Sequence, residues 1–158
     1  MQELAAHTMG YLICSMALIV LILVMPFFFA MERNSVAEEM AKRKLTEISD
    51  YTSNTLANLY FLANSTNSVE LDLTKTLLYL PLSVEDSFYV LSITSIDGVN
   101  ASKVTAFFKD RPRVAGDSWL VPGLKLLNES SLEIGGKSVI AGCHRDGTGF
   151  YVWLGESE

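Results

Sequence analysis

The sequence predicts an α+β protein in which a long N-terminal helix, hydrophobic at first and then amphipathic, is followed by a small antiparallel β domain. Residues Met9–Ala30 contain no charged side chain. The pattern that follows, up to Leu62, has the period of a helix, and after the polar cluster Asn64–Ser68 the period changes to two. We therefore divide the chain into a helical segment, 1–63, and a β domain, 64–158, built as a sandwich or as a sheet packed on the helix.

The apolar run is long enough to cross a bilayer. At about 1.5 Å per residue, Met9–Ala30 spans about 33 Å, against a hydrocarbon core of about 30 Å. A cleaved secretory signal is the alternative, but it requires a basic segment before the apolar core, and residues 1–8 contain Glu3 and no Lys or Arg. Pro26 removes one backbone hydrogen bond inside the run, and we expect it to kink or loosen the helix there.

Beyond this run, apolar and small side chains recur at alternating spacings of three and four, which is typical of a helix with one face against a partner surface. The stripe consists of Ala41, Leu45, Ile48, Thr52, Thr55, Leu59 and Leu62. Opposite charges at i and i+4, such as Glu38 and Lys42, favour an exposed helical face on the other side. We expect one continuous helix, although a break near Asn34 and Ser35, which are suited to capping a new helix, is the alternative.

The β domain is predicted from alternating side chains and turn signals. Ser87–Thr94 and Lys103–Lys109 form the clearest pair, because Asp97-Gly98 between them favours a hairpin. Segment 110–118 is predicted as a loop from its proline and glycine. Leu77–Leu82 is apolar, with Pro81 at an edge or strand end. Further strands are predicted at 69–74, 119–121, 131–134, 138–143 and 150–154, with turns at Pro122-Gly123, Gly135-Gly136 and 146–149.

Composition argues against several functions. The net charge is −6, from 12 Lys and Arg against 18 Asp and Glu, and no basic stripe is present to neutralise phosphates. Nucleic acid is therefore not expected as a partner. Cys14 lies in the apolar run and Cys143 near the C-terminus, so we expect no disulfide between them.

The search for catalytic or metal-binding residues leads to no site. His144, with Cys143 and Asp146 nearby, is the strongest candidate for a metal ligand set. However, adjacent residues of a strand point to opposite faces, and the chain lacks the ligand spacing of a zinc site. No serine lies in a nucleophile motif, and the glycine pairs are turns without a Walker lysine. We predict no enzyme activity, no cofactor and no metal.

Three N-x-[ST] triplets are candidate glycosylation sites, at Asn64, Asn100 and Asn128. Each lies in a predicted turn or strand end, so they favour a β domain outside the cell. The positive-inside rule favours the cytoplasm, because Arg33 and Lys42–Lys44 follow the apolar run and no Lys or Arg precedes it. Since long domains are translocated largely regardless of charge, we expect the β domain to lie outside.

This organisation resembles the archaeal type IV pilin-like proteins. The resemblance consists of an acidic residue near the start of the apolar helix (Glu3), an amphipathic second half (Leu45–Leu62) under a small β domain, and Leu80-Pro81-Leu82 before the strand Ser87–Thr94. No basic leader ending in Gly or Ala precedes the run, so we expect either a mature chain or one that is never processed.

The resemblance implies a structural subunit of a pilus-like filament at the cell surface. Copies of the protein would associate through the N-terminal helix, which lies in the membrane before assembly. Glu3 would neutralise the terminal amine of a neighbouring copy, and surface-layer or secretion-platform proteins would be further partners. The alternative is a single-pass, membrane-anchored adaptor, similar to the stator-like accessory proteins of archaeal motility filaments.

Overall fold

The computed structural model describes the backbone of residues 2–96 and 101–156, and the side chains from residue 9 within these ranges. The described chain begins with helix α1, Gln2–Ser65, and continues with eight strands, which confirms the predicted α+β class. The strands are β1 (Leu71–Thr76), β2 (Tyr89–Ile96), β3 (Ala101–Phe108), β4 (Ala115–Trp119), β5 (Lys125–Leu126), β6 (Ser130–Ile134), β7 (Val139–Asp146) and β8 (Gly149–Glu156).

Two compact units make up the chain, Met1–Glu39 and Met40–Glu158. The predicted segments 1–63 and 64–158 follow the change in periodicity. The boundary between the compact units lies nearer the N-terminus, after Glu39, because the helix from Ala41 onward is buried with the strands. Helix α1 passes through Asn34 and Ser35 without interruption, so the alternative of a second helix starting there is wrong.

The strands form two four-stranded sheets. Sheet 1 has the order β1-β7-β8-β5 and sheet 2 the order β4-β3-β2-β6. Neighbouring strands are antiparallel except β5 and β8, which are parallel. Strand β5 was not predicted, since it contains only Lys125 and Leu126 and so has no detectable alternation.

The predicted β2–β3 hairpin is confirmed by its register, in which Tyr89 pairs with Phe108 and Ile96 with Ala101. Its turn, Asp97-Gly98, lies outside the described residues. The strands predicted at 69–74, 131–134, 138–143 and 150–154 correspond to β1, β6, β7 and β8. Segment 77–82 forms turns instead of a strand, with Leu77 buried.

The second half of α1 contributes one face to the core of the β domain. Six members of the predicted stripe are buried, and Leu62 is 55% exposed, so that assignment is wrong. A strict alternation of three and four selects Leu62 after Leu59, whereas the helix brings Ala63, one residue later, to the buried face. The other fully buried side chains include Leu91, Ile93, Val104 and Phe108 from sheet 2, and Ala141, Cys143 and Val152 from sheet 1.

The loop predicted at 110–118 is partly wrong, because Ala115–Trp119 forms edge strand β4. Gly116 was interpreted as a turn residue, but in the structure it allows α1 to approach the strand. A Cβ atom at Gly116 would lie within 3.0 Å of three backbone atoms of Leu45 and Thr46. The glycine is therefore explained by contact between two backbones, which the local sequence does not reveal.

A hydroxyl group from the helix lies within the β3–β4 ladder. Ser49 Oγ donates to Gly116 O at 2.7 Å and accepts from Ala106 N at 3.0 Å. Gly116 and Ala106 are partners in the register of the two strands. The register of β3 and β4 continues through this pair, and two further backbone bonds, Leu120 N to Ser102 O and Phe108 N to Val114 O, extend the ladder at its two ends. Helix and sheet 2 therefore share one hydrogen-bond network.

The C-terminal end of α1 is held by a side chain from sheet 1. No basic residue lies in the last turn of the helix. Instead, Arg145 Nη1 donates to Ala63 O at 3.3 Å and to Thr66 O at 2.7 Å. Placing a cation at the carbonyl end of a helix satisfies its free acceptors and opposes its dipole.

Candidate membrane and assembly surface

The apolar run of α1 is covered by no other part of the described chain. Its large side chains are exposed all around the helix, for example Tyr11 at 80% and Phe27 at 70%. Among the described residues, α1 is the one helix long and apolar enough to cross a membrane, with a mean hydropathy of 2.8 in its most apolar window. Since burying one such side chain contributes about 1.5–3 kcal/mol, lipid or other helices around this surface would stabilise the protein.

Pro26 lies inside the helix without ending it. Because proline has no N–H, the carbonyl of Ile22 one turn earlier loses its usual partner. A shallow apolar groove surrounds this position and is lined by Ile22, Met25, Pro26, Phe29, Ala30 and Arg33. The predicted assembly role of Pro26 stays a prediction.

Glu3, the second predicted assembly residue, belongs to the first turns of α1. Its side chain lies outside the described residues, so its proposed pairing with the terminal amine of another copy stays a prediction.

The candidate glycosylation sites lie on different elements. Asn64 is exposed in the last turn of α1, and Asn128 is exposed in the bend between β5 and β6. Asn100 lies outside the described residues. The hydroxyl group of Thr66, the third residue of the first triplet, donates to Leu62 O at 3.0 Å. Exposure of Asn64 and Asn128 is what a glycan requires, and their modification stays a prediction.

Cys143 and His144 point away from each other. Cys143 is fully buried in the core, and this burial, with the nearby charge of Asp72, raises the pKa of its thiol. His144 lies on the outer face of sheet 1, where its Nδ1 is 2.6 Å from Asp72 Oδ1. Within the described residues, no three His, Cys, Asp or Glu side chains are grouped to hold a metal ion.

The pairing of His144 with Asp72 is expected to make stability depend on pH. The hydrogen bond with Asp72 is the main cause that raises the pKa of His144 above its ordinary value of 6.5, and the charges of Asp72, Asp146 and Glu70 act in the same direction. The protonated imidazole therefore stabilises the fold fully below pH 6.5, and this contribution is lost as the pH rises through the raised pKa.

Urea denaturation of the full chain at about pH 6 and about pH 8 would measure this loss. The Asp72→Asn variant provides the control, because it keeps the histidine and removes its charged partner. Its free energy of unfolding should change less than that of the wild type over the same pH interval. An equal change in both proteins would contradict the prediction.

No family model, curated protein or solved structure matches this chain. The resemblance to archaeal type IV pilin-like proteins therefore depends on the residues quoted above and stays a prediction. The structure defines the class more broadly, as one apolar helix able to anchor in a membrane together with a β-rich domain.

Three residues important for the β domain were missed from sequence. Ser49 was passed over as a small polar residue beside the predicted stripe, although its buried position next to Ile48 continues the same helical face. Gly116 was assigned to a predicted loop, and no role was predicted for Gly142. A glycine inside a run of strand formers, as at Gly142, is the signal that indicates close approach of another group.

Proposed function

We propose that this protein is a structural subunit of a pilus-like filament, which polymerises through the apolar run of α1 and exposes its β domain. The observation that carries the proposal is the exposure of large apolar side chains on every side of Met9–Ala30. A helix that is apolar all round is buried when functional, either in lipid or among other helices. In a filament, copies of the same segment would bury one another.

The second half of the same helix supports assembly over simple tethering. Between Ala41 and Ala63 the helix is built into the core of the β domain and hydrogen-bonded to its strands. A tether needs only a flexible connection to the β domain. Regular packing of copies benefits from a helix that contains the apolar run and also contributes to the core of the β domain. The β domain would then be repeated at the filament surface by the packing of the helices.

We place the β domain outside the cell. The exposed acceptor residues Asn64 and Asn128 support this placement, and the acidic surface, with a net charge of −6 for the chain, suits an exposed, soluble fibre surface. Before assembly the apolar run would lie in the membrane. Surface-layer or secretion-platform proteins are proposed as further partners.

A membrane-anchored adaptor is the second candidate. It is favoured by the length of the apolar run, which by itself matches one bilayer crossing. In this arrangement lipid covers Met9–Ala30, no polymer forms, and the β domain binds one partner as a stator-like accessory protein.

Cysteine crosslinking distinguishes the two candidates. Cys14 is exposed in the apolar run and Cys143 is buried, so a membrane-permeant bismaleimide should react at Cys14 alone. In membranes containing the full chain, a filament subunit is expected to give a crosslinked dimer, which is the largest product that one reactive cysteine per chain allows. An adaptor is expected to remain a monomer.

The Cys14→Ser variant is the matched control and should give no crosslinked dimer. Sheared cell-surface fractions examined by electron microscopy provide the second measurement, since a filament subunit must be present in fibres. Recovery of the protein only as detergent-extracted monomers, with no crosslinked dimer, would rule out the filament and support the adaptor.

A further inference from the structure

An indole ring lies flat on the outer face of sheet 1. Trp153 of β8 is paired with Gly142 of β7, and a Cβ atom at Gly142 would lie within 3.0 Å of three atoms of the indole. A Cβ atom at Gly155, two residues along β8, would lie 2.8 Å from Trp153 Cζ3. Trp153 is half-buried, as expected of a ring with one side on the backbone and the other side in solvent.

Glycine weakens the interior of a strand, and it is found there where another group approaches closely. Two such glycines, at 142 and 155, leave the space in which the Trp153 ring rests. Gly142, opposite Trp153, gives the indole ring room to cover the backbone of β7. The second glycine extends the flat surface along β8, so that a broad aromatic face is available.

Polar side chains border this aromatic face on one side. Asp72, His144 and Tyr151 are aligned across β1, β7 and β8 by the register of the strands. This row is two residues from the Trp153 row, which is about 7 Å along the strands. Its members offer carboxylate, imidazole and phenol groups, which include both donors and acceptors of hydrogen bonds.

The carboxylates of Asp72 and Asp146 on this face already have hydrogen-bond partners. Asp72 is paired with His144 at 2.6 Å, and Lys125 Nζ lies 5.7 Å from the centroid of the Tyr151 ring. Asp146 Oδ1 accepts hydrogen bonds from Thr148 N, Thr148 Oγ1 and Gly149 N, at 2.7, 2.6 and 3.0 Å. The face therefore suits a neutral ligand better than a phosphate or a strongly charged peptide.

We propose that the outer face of sheet 1, centred on Trp153, binds a neutral saccharide. A pyranose ring has an apolar face of C–H groups, which stacks on the electron-rich face of an indole. Its hydroxyl groups lie around the edge of the ring, where Asp72, His144 and Tyr151 can bind them. A proline-rich peptide fits less well, because such ligands dock in grooves between several aromatic side chains.

Tryptophan fluorescence of the full chain tests this proposal. The chain has two tryptophans, and Trp119→Phe leaves Trp153 as the only indole. The protein should be kept in a detergent without a sugar head group, because a glycoside detergent would compete. Maltotriose, cellotriose, mannotriose and the N-acetylglucosamine trimer are the probes. We expect a saturable change with at least one of them, with a Kd on the order of 1 mM or lower.

Two further variants test the role of each group. Trp153→Ala is followed by calorimetric titration with the same sugar and is expected to abolish binding, provided that its thermal unfolding remains cooperative. Tyr151→Phe keeps the ring and removes one hydroxyl, so it should weaken binding about tenfold while leaving the fold intact. The proposal is overturned if none of the four sugars binds, if Trp153→Ala binds as well as the wild type, or if a proline-rich peptide binds in their place.

Discussion

Replacing Gly116 with alanine is expected to lower the free energy of unfolding of the β domain by about 3 kcal/mol. The new Cβ atom would meet backbone atoms of Leu45 and Thr46, which cannot rotate away as a flexible side chain can. Either β4 or the helix must shift, and both are fixed by the core. Because Leu45 is fully buried, a shift of the helix also disturbs the packing of its neighbours.

Urea denaturation, followed by circular dichroism on the full chain, would measure this effect. Gly135→Ala is the matched control, because a Cβ atom there would meet nothing within 4 Å, and its stability should stay within about 0.5 kcal/mol of the wild type. Equal stabilities for the two variants would show that the close approach of helix and strand is absent.

Ser49→Ala is expected to destabilise the β domain by about 1–3 kcal/mol, since it removes two buried hydrogen bonds that contribute about 0.5–1.5 kcal/mol each. The Ala106 N–H would lose the hydroxyl as an acceptor and the Gly116 carbonyl would lose it as a donor, at a fully buried position of the helix.

Two control variants give losses of stability with which that of Ser49→Ala can be compared. Ser53→Ala removes a single bond, from Ser53 Oγ to Trp119 O at 2.7 Å, and should cost about half as much. Thr46→Ala removes only an exposed bond within the helix, to Lys42 O, and should be nearly neutral. Amide hydrogen exchange gives a direct readout, because the Ala106 N–H should lose protection in Ser49→Ala. Unchanged protection there would contradict the proposed role of the hydroxyl.

The main elements of the fold were predictable because their signals are periodic. The uncharged run Met9–Ala30 and the stripe from Ala41 to Leu59 are repeated over many turns, so single exceptions do not obscure them. The β2–β3 hairpin combined two runs of strand formers with a strong turn signal. In contrast, β4 contains Gly116 and Asp117, which locally favour a loop, and tertiary contact with the helix prevails over that preference.

Contacts between distant elements were not predictable in this way. Nothing near Ser49 in the sequence indicates that its hydroxyl bonds to residues 57 and 67 positions away. The aromatic face at Trp153 depends on the register of β7 and β8, which places Gly142 opposite the indole. Register is a property of the paired strands, so the polar row of Asp72, His144 and Tyr151 becomes visible only in the folded sheet.

The two hydrogen bonds of Ser49 also determine where proteolysis could separate the β domain from the apolar run. Because Ser49 of α1 is hydrogen-bonded to both β3 and β4, cleavage after Ser49 would separate these strands from a side chain that binds them both. The edge strand β4 would then be more exposed. An exposed edge strand can pair with a strand of another chain and so lead to aggregation. Only a cut before Ala41, where burial begins, would shed a domain that keeps its fold.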